Sequence, residues 1–189
     1  MTTNSINSLI EQINIIHKNG IIIVGIDGYL GSGKTTLSNK LSKEFDFKLI
    51  NLDEYENIKI PNNLSENGYV NSRDYNKISS DISTALLEGR NILIEGICLM
   101  EILNRIKIQS HLTIYVKRID VNGKWKDEDE CNLIGDPNLF IKKRKAPWTT
   151  TNSVIDSNAR SIYAECIAYH QNCKPIAKCD IILRLKTQD

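Results

Sequence analysis

The sequence predicts an α/β fold with a parallel central sheet and helices on both faces. Three observations support this prediction: short β-branched runs alternate with helical patterns, the first run shows no polar alternation, and a glycine-rich loop follows it. Strands that alternate with helices form parallel sheets, and a strand covered on both faces has no polar alternation. The length of 189 residues suits one domain of this kind.

The elements can be assigned in order along the chain from their spacing and from turn residues. Helices are predicted at 6–17, 34–45, 73–87, 97–106 and 153–172. Strands are predicted at 21–26, 47–52, 91–95, 111–117 and 180–185. Pro61–Asn71 is rich in Asn, Ser and Gly and is predicted to be a loop, while residues 119–150 have no clear period.

The composition argues against a general affinity for nucleic acid or membranes. The 24 basic and 23 acidic side chains give a formal net charge of +1, so any anion site must be local. The five cysteines have no C-x-x-C spacing, and no basic stretch followed by an apolar run opens the sequence. We therefore expect a cytoplasmic protein with reduced thiols, no nucleic-acid partner and no membrane span, and the oligomeric state stays open.

The most specific feature is the glycine-rich loop between the first strand and its helix. Residues 28–35, Gly-Tyr-Leu-Gly-Ser-Gly-Lys-Thr, match the pattern G-x-x-x-x-G-K-[ST] in full. In that pattern the glycines let backbone N–H groups approach phosphates, the lysine reaches the β- and γ-phosphates, and the hydroxyl binds Mg²⁺. ATP and Mg²⁺ are the predicted ligands, and the residues predicted to bind the nucleotide are Gly28, Gly31, Ser32, Gly33, Lys34, Thr35 and Thr36.

Two acidic residues follow strands that should end at the same edge of the sheet as this loop. Asp53 follows the second strand and is placed to accept a proton from a substrate hydroxyl, with Glu54 as its nearest competitor. Glu95 ends the third strand after Ile-Leu-Ile, a pattern typical of an acid that holds Mg²⁺ together with Thr35. Either acid could instead cap a helix, and Asp27 is expected to brace the loop by hydrogen bonds.

Together these motifs resemble those of the uridine kinase and phosphoribulokinase family of P-loop kinases. The matching stretches are Gly25–Gly28, Gly31–Thr36, Leu52–Tyr55, Ile94–Ile97, Tyr169-His170, Pro175 and Cys179–Ile182. The resemblance implies the P-loop NTPase fold, a three-layer sandwich with a parallel central sheet and a lid insert. It also implies transfer of the ATP γ-phosphoryl to a small-molecule hydroxyl, with Asp53 as the general base and Glu95 as the Walker B acid.

Residues 119–150 are expected to form the lid-like insert of a single kinase domain that spans 1–189. They carry mixed charge and both tryptophans of the chain. An insert at this place can close over the phosphates and bring a cation to the transferred group, and Arg118 and Arg144 are the candidates. With Lys34, these arginines complete the predicted catalytic cations. A solvated charged loop is the alternative.

The phosphoryl acceptor is expected beyond the second strand, where Tyr55, Arg73 and Asp74 are candidate substrate contacts. Asp74 could equally cap the helix that follows. A GTPase is disfavoured because no N-K-x-D motif is found in the sequence. Besides a small-molecule kinase of the uridine kinase type, two alternatives stay open: a kinase of a non-nucleoside substrate, and a non-enzymatic ATP-binding module that regulates a partner.

Overall fold

The computed structural model of the chain describes residues 1–18, 20–57, 64–143 and 153–186. The described strands are β1 (Thr2–Thr3), β2 (Ile23–Gly28), β3 (Lys48–Asn51), β4 (Ile92–Glu95), β5 (Leu112–Ile119) and β6 (Ile181–Lys186). They form one sheet in the order β1–β6–β5–β2–β4–β3, and every neighbouring pair is parallel. The predicted α/β class with a parallel sheet is confirmed.

Helices connect these strands and cover the sheet. Those before the fourth strand are α1 (Ile6–His17), α2 (Lys34–Phe45), α3 (Leu64–Asn71) and α4 (Tyr75–Leu87). Those after it are α5 (Leu99–Arg105), α6 (Glu128–Cys131), α7 (Pro137–Lys143), α8 (Ser153–Cys173) and α9 (Pro175–Lys178). Each predicted helix and strand is present, and no end is displaced by more than two residues, which is the usual uncertainty of element boundaries.

Two apolar layers lie on opposite faces of the sheet, because successive side chains of a strand point to opposite sides. In one layer, α1 and α2 bury Leu9, Ile13, Leu37 and Leu41 against Val24 and Ile26. In the other, α4, α5 and α8 bury Ile78, Ile82, Ile102 and Ile167 against Ile23, Ile92 and Ile94. The strand β2, which lies between β4 and β5, is buried at all of its positions.

One part of the predicted secondary structure is wrong. The segment Pro61–Asn71 is predicted to be a loop, but α3 occupies Leu64–Asn71, and residues 61–63 lie outside the described residues. The helix contains a break at Gly68, whose backbone has φ of 72° and ψ of 170°. Because such a conformation interrupts the helical hydrogen-bond pattern, the glycine that suggested a loop here marks a kink between two short helical turns.

The start of the predicted insert packs against the body of the protein. Trp125 pairs with Ile119 through an antiparallel bridge and contacts the ring of Tyr115 edge-on at 6.4 Å between centroids. The Asp120 carboxylate accepts from the backbone N–H of Asn122 at 2.9 Å and of Lys124 at 2.8 Å. The intervening residues therefore form a turn. The helices α6 and α7 are too short to give a readable helical period. The lid role remains a prediction.

In the described part of the chain, none of the helices combines the length and the apolar character that a membrane crossing requires.

We predict that Leu41→Ala lowers the free energy of unfolding by about 2–5 kcal/mol in urea denaturation, because it leaves a cavity between α2 and the sheet. Leu41 is fully buried. The neighbouring exposed residue Lys40 provides the control, and Lys40→Ala should change stability by no more than about 0.5 kcal/mol. Equal effects of the two substitutions would contradict the packing of α2 described here.

Candidate phosphate-binding site

The glycine-rich loop leaves the carboxyl end of β2 and enters the first turn of α2. Gly33 is the residue before this helix and has φ of 93°, a left-handed conformation that favours glycine. At Gly28 the limit is space, since an added Cβ would lie 2.7 Å from Ser32 Oγ and 2.8 Å from the Val116 carbonyl oxygen. Both glycines are thus required by the path of the loop.

The loop presents a lysine and open backbone N–H groups to the same space. Lys34 is 7% exposed, and its Nζ donates to the Tyr29 carbonyl at 2.9 Å, across the loop. No side chain caps the N-terminus of α2 at Gly33, and the first N–H groups of a helix have no intrahelical acceptor. Ser32 Oγ is buried and has no hydrogen-bond partner among the described residues. Such a set of donors suits a phosphate chain.

Asp27 stabilises the loop through hydrogen bonds of its carboxylate, as its position before Gly28 predicts. Its Oδ1 accepts from the Gly28 backbone N–H at 2.7 Å, and its Oδ2 accepts from the hydroxyl of Tyr169 on α8. The Tyr169 oxygen in turn accepts from the Met100 N–H at 3.2 Å. Burial raises the pKa of Asp27, and the hydrogen bonds from Tyr169 and from the Gly28 N–H oppose that shift. The loop is therefore tied through one carboxylate to two helices behind the sheet.

Glu95 lies at the carboxyl end of β4, next to the β2 strand that carries the loop. It is 1% exposed, and the Thr35 hydroxyl acts on its carboxylate. Burial raises the pKa of Glu95, whereas the Thr35 hydroxyl and the charge of Lys34 lower it. Its Oε1 is buried and lacks a partner among the described residues. A free carboxylate oxygen beside a hydroxyl is a donor set that Mg²⁺ prefers, so the residues present fit this cation.

Asp53 reaches the same space from the end of β3. It lies in a short 3-10 turn, Leu52–Glu54, whose start is fixed by a bond of 3.1 Å from the Asp53 N–H to Asn51 Oδ1. A cavity of about 470 Å³ is lined by the loop on one side and by Asp53, Tyr69, Arg73, Ile97 and Ile162 on the other. The structure thus brings Lys34, Thr35 and Asp53 to one cavity.

The three candidate substrate contacts have different surroundings. Arg73 lines the cavity but is 4% exposed, and it donates to the Leu52 carbonyl at 2.9 Å and the Tyr69 carbonyl at 3.1 Å. Tyr55 donates to Asp81 at 2.7 Å and does not line the cavity. Asp74 caps α4 by accepting from the Lys77 N–H at 3.0 Å, which is the alternative that its position allowed. Only Arg73 is brought to the site.

Arg118 contacts the loop from the end of β5. Its Nη1 donates to the Gly31 carbonyl at 3.2 Å, and its Nη2 forms an ion pair with Asp127 at 2.9 Å. Burial raises the pKa of Asp127, and the charge of Arg118 opposes that shift. A second cavity of about 400 Å³ lies beside the loop and includes Arg118, Thr36 and Leu185. Arg144, the other candidate cation, lies outside the described residues.

Several residues of the site could not be found from the sequence. Tyr69 falls in the segment that was predicted to be a loop, and the helix that carries it is broken at Gly68. Ile97 and Ile162 have the appearance of ordinary core residues until the fold places them at the cavity. Tyr169 carries a signal only in the Tyr-His pair noted in the resemblance. A larger cavity of about 670 Å³, between α6, α8 and α9, contains none of the phosphate-loop residues.

Two sequence comparisons bear on this site. The KAP family P-loop domain matches residues 2–182 of the chain, a range that includes the glycine-rich loop, Asp53 and Glu95. Comparison with curated proteins gave no match.

Comparison with solved structures gave several similar chains. One is described as a possible uridine kinase from Bacillus stearothermophilus, with 16% identity, a TM-score of 0.49 and coverage of 93% of this chain and 99% of that chain. The shikimate kinase of Bacteroides thetaiotaomicron has 15% identity and a TM-score of 0.44, and 86% of each chain is covered. The shikimate kinase of Aquifex aeolicus has 18% identity and a TM-score of 0.43, again with 86% of each chain covered.

We predict that Glu95→Gln removes the gain in ATP affinity that Mg²⁺ gives, because the neutral amide no longer attracts the cation. Isothermal titration with Mg²⁺ and with a chelator measures the gain, which we expect to be about tenfold or more in the unchanged protein. Burial raises the pKa of Glu95, so protons compete with Mg²⁺ at higher pH than at an exposed glutamate. The gain should therefore shrink as the pH is lowered.

The matched control is Glu88→Gln, since Glu88 is exposed at the end of α4 and far from the loop. It should keep both the Mg²⁺ gain and its pH dependence. If Glu95→Gln behaves in the same way as this control, Glu95 does not hold the cation.

Proposed function

Because the chain belongs to the KAP family of P-loop NTPase domains, we propose that it is an ATP-dependent phosphotransferase, which moves the γ-phosphoryl group to a hydroxyl of a small molecule. One observation carries this proposal: a carboxylate, Asp53, lines the same cavity as the phosphate loop. A carboxylate opposite the phosphate site suits the activation of a hydroxyl acceptor. The family resemblance of Leu52–Tyr55 supports the same role.

The proposed reaction is an in-line displacement at phosphorus. The acceptor oxygen bonds to the γ-phosphorus while the bond from that phosphorus to the β,γ-bridging oxygen breaks, and ADP leaves with the electron pair. The proton of the acceptor hydroxyl passes to an oxygen of Asp53 and then to solvent. ATP and an alcohol thereby give ADP, a phosphate ester and one proton.

The remaining site residues bind and orient the phosphates. Lys34 and the backbone N–H groups of the loop hold the phosphate oxygens, and the open N-terminus of α2 adds a favourable dipole. Thr35 and Glu95 would hold Mg²⁺, which supplies positive charge against the negative charge of the phosphates. We assign to Arg118, and to Arg144 in the insert, the task of offsetting charge on the transferred group. Transfer of this kind depends mainly on positioning and electrostatics.

The second cavity is the proposed place of the nucleoside. It adjoins the loop at Gly33 and Thr36, and its outer wall includes Arg118 and Leu185. The apolar side chains that line this cavity, among them Leu37 and Leu185, suit a purine ring. The two cavities lie on either side of the loop residues Gly31–Gly33. A nucleotide bound in this way would extend its γ-phosphate toward Asp53.

The proposed acceptor is a small molecule, for which the volume of the first cavity, about 470 Å³, is of the usual size. The resemblance to the uridine kinase and phosphoribulokinase family supports a nucleoside or sugar hydroxyl. We further propose a cytoplasmic location without nucleic-acid or membrane partners. The five cysteines are free thiols, which suits a reducing compartment.

We predict that Asp53→Asn abolishes acceptor-stimulated ADP formation while the ATP dissociation constant stays within about twofold, because the amide cannot accept the proton. The assay is ADP release over a panel of nucleosides, sugars and cofactor precursors. Asp46→Asn is the control, since Asp46 caps the C-terminus of α2, at the opposite end of the helix from the loop. Tight ATP binding without stimulation by any acceptor would favour the regulatory module instead. Equal rates for Asp53→Asn and the unchanged protein would remove Asp53 from the mechanism.

A further inference from the structure

The Asp53 carboxylate is held by a tyrosine. Tyr69 on α3 is 5% exposed, and its hydroxyl donates to Asp53 Oδ1 at 2.6 Å. Burial, with the Asp53 charge next in size, raises the pKa of Tyr69 above its ordinary value. The phenol therefore remains protonated and remains a donor wherever the protein works. No described residue donates a hydrogen bond to the other carboxylate oxygen, Oδ2.

The position of Tyr69 is set by a carboxylate on a helix that is distant in sequence but adjacent in space. The break at Gly68 frees the backbone N–H groups of the next two residues from the helical pattern, and both donate to Glu165 of α8. The Val70 N–H lies 3.0 Å from Glu165 Oε1. A Cβ added at Gly68 would lie 2.8 Å from Glu165 Oε2. The break, its glycine and Glu165 thus act together to place the turn that begins at Tyr69.

Arg73 contacts both the Tyr69 ring and the Leu52–Glu54 turn, which carries Asp53. Its guanidinium lies over the Tyr69 ring, 4.3 Å from the centroid. The same group donates to the backbone carbonyl of Leu52, and at 3.4 Å to that of Asp53. The backbone of the Asp53 turn and the ring that contacts its carboxylate are therefore held by one buried cation.

We propose that Tyr69 is a positioning residue, which fixes the Asp53 carboxylate for proton transfer, and that Glu165 acts through Tyr69 by clamping the break in α3. The inference rests on the phosphotransferase function proposed above. The Tyr69 hydroxyl occupies Oδ1, so Oδ2 is the oxygen left to take the acceptor proton. Because proton transfer needs a base within hydrogen-bond reach of the acceptor, a carboxylate that rotates freely would be a weaker catalyst.

The kinetic test compares Tyr69→Phe with Tyr75→Phe. Tyr75 also stabilises α3, because its hydroxyl donates to the Val70 carbonyl at 2.8 Å, but this contact leaves Asp53 untouched. We expect Tyr69→Phe to lower kcat about tenfold or more, the effect of losing a hydrogen bond to a charged group, with the ATP dissociation constant unchanged. Tyr75→Phe should keep kcat. Equal values of kcat for the two variants would overturn the role of Tyr69, since a purely structural contact predicts that result.

The role of Glu165 is tested by a double-mutant cycle. Glu165→Gln keeps one acceptor oxygen but turns an amide N–H₂ toward a backbone donor, so it should lower kcat in the same direction as Tyr69→Phe. If Glu165 acts through Tyr69, the double variant should be no slower than Tyr69→Phe alone. Losses of kcat that multiply in the double variant would show that Glu165 acts independently, and would overturn this part of the proposal.

A measurement that does not need turnover separates this inference from the proposed function. In ¹³C-aspartate-labelled protein, the carboxyl signal of Asp53 is assigned by its loss in Asp53→Asn. Tyr69→Phe and Glu165→Gln should both move that signal, although Glu165 does not touch Asp53, and Tyr75→Phe should not. If no acceptor stimulates turnover but the signal moves, the phosphotransferase function fails while the positioning of Asp53 stands. If the Asp53 signal does not move in Tyr69→Phe and Glu165→Gln, the positioning of Asp53 by these residues is wrong, whether or not an acceptor stimulates turnover.

Discussion

The backbone N–H groups of one strand–loop–helix junction, with the Lys34 ammonium beside them, create the local positive field on which the rest of the site depends. The chain as a whole has a formal net charge of only +1, so an anionic polyphosphate has no general attraction to its surface. The attraction must come from donors that converge at one point. The left-handed backbone at Gly33 and the close approach at Gly28 are the conditions for this convergence.

The sheet then places the other chemical groups around that field. Because all neighbouring strands are parallel, their carboxyl ends meet at one edge, where ligands of open α/β sheets bind. β3 brings Asp53, β4 brings Glu95 and β5 brings Arg118 to the loop at the end of β2. Behind the edge, the Asp27 carboxylate joins the loop to α8. The residues that would contact the phosphates, the cation and the proposed acceptor are thus held on one sheet, which suits a reaction that depends on the positions of the reacting groups.

The elements that the sequence predicted well are those with a local signal. The glycine-rich pattern and its flanking strand and helix identify the loop, and the apolar runs before Glu95 and Asp53 identify the strands that carry them. Asp74 was ambiguous between a substrate contact and a helix cap, because an acid before a helix has the same appearance in either role. The contact between Glu165 and the break at Gly68 could not be predicted, since the two residues are distant in sequence and neither belongs to a periodic pattern. Tyr69 was missed for the same reason.

The most direct test of this account is calorimetric titration of ATP in the presence of Mg²⁺, with the unchanged protein and with Lys34→Ala. We expect saturable binding at one site, and a loss of affinity of at least about tenfold when the buried ammonium is removed. Lys43→Ala, which removes an exposed ammonium from the last turn of the same helix, should bind ATP nearly as well as the unchanged protein. Absence of binding to the unchanged protein, or equal affinity after the removal of Lys34, would contradict the assignment of the loop as a phosphate site.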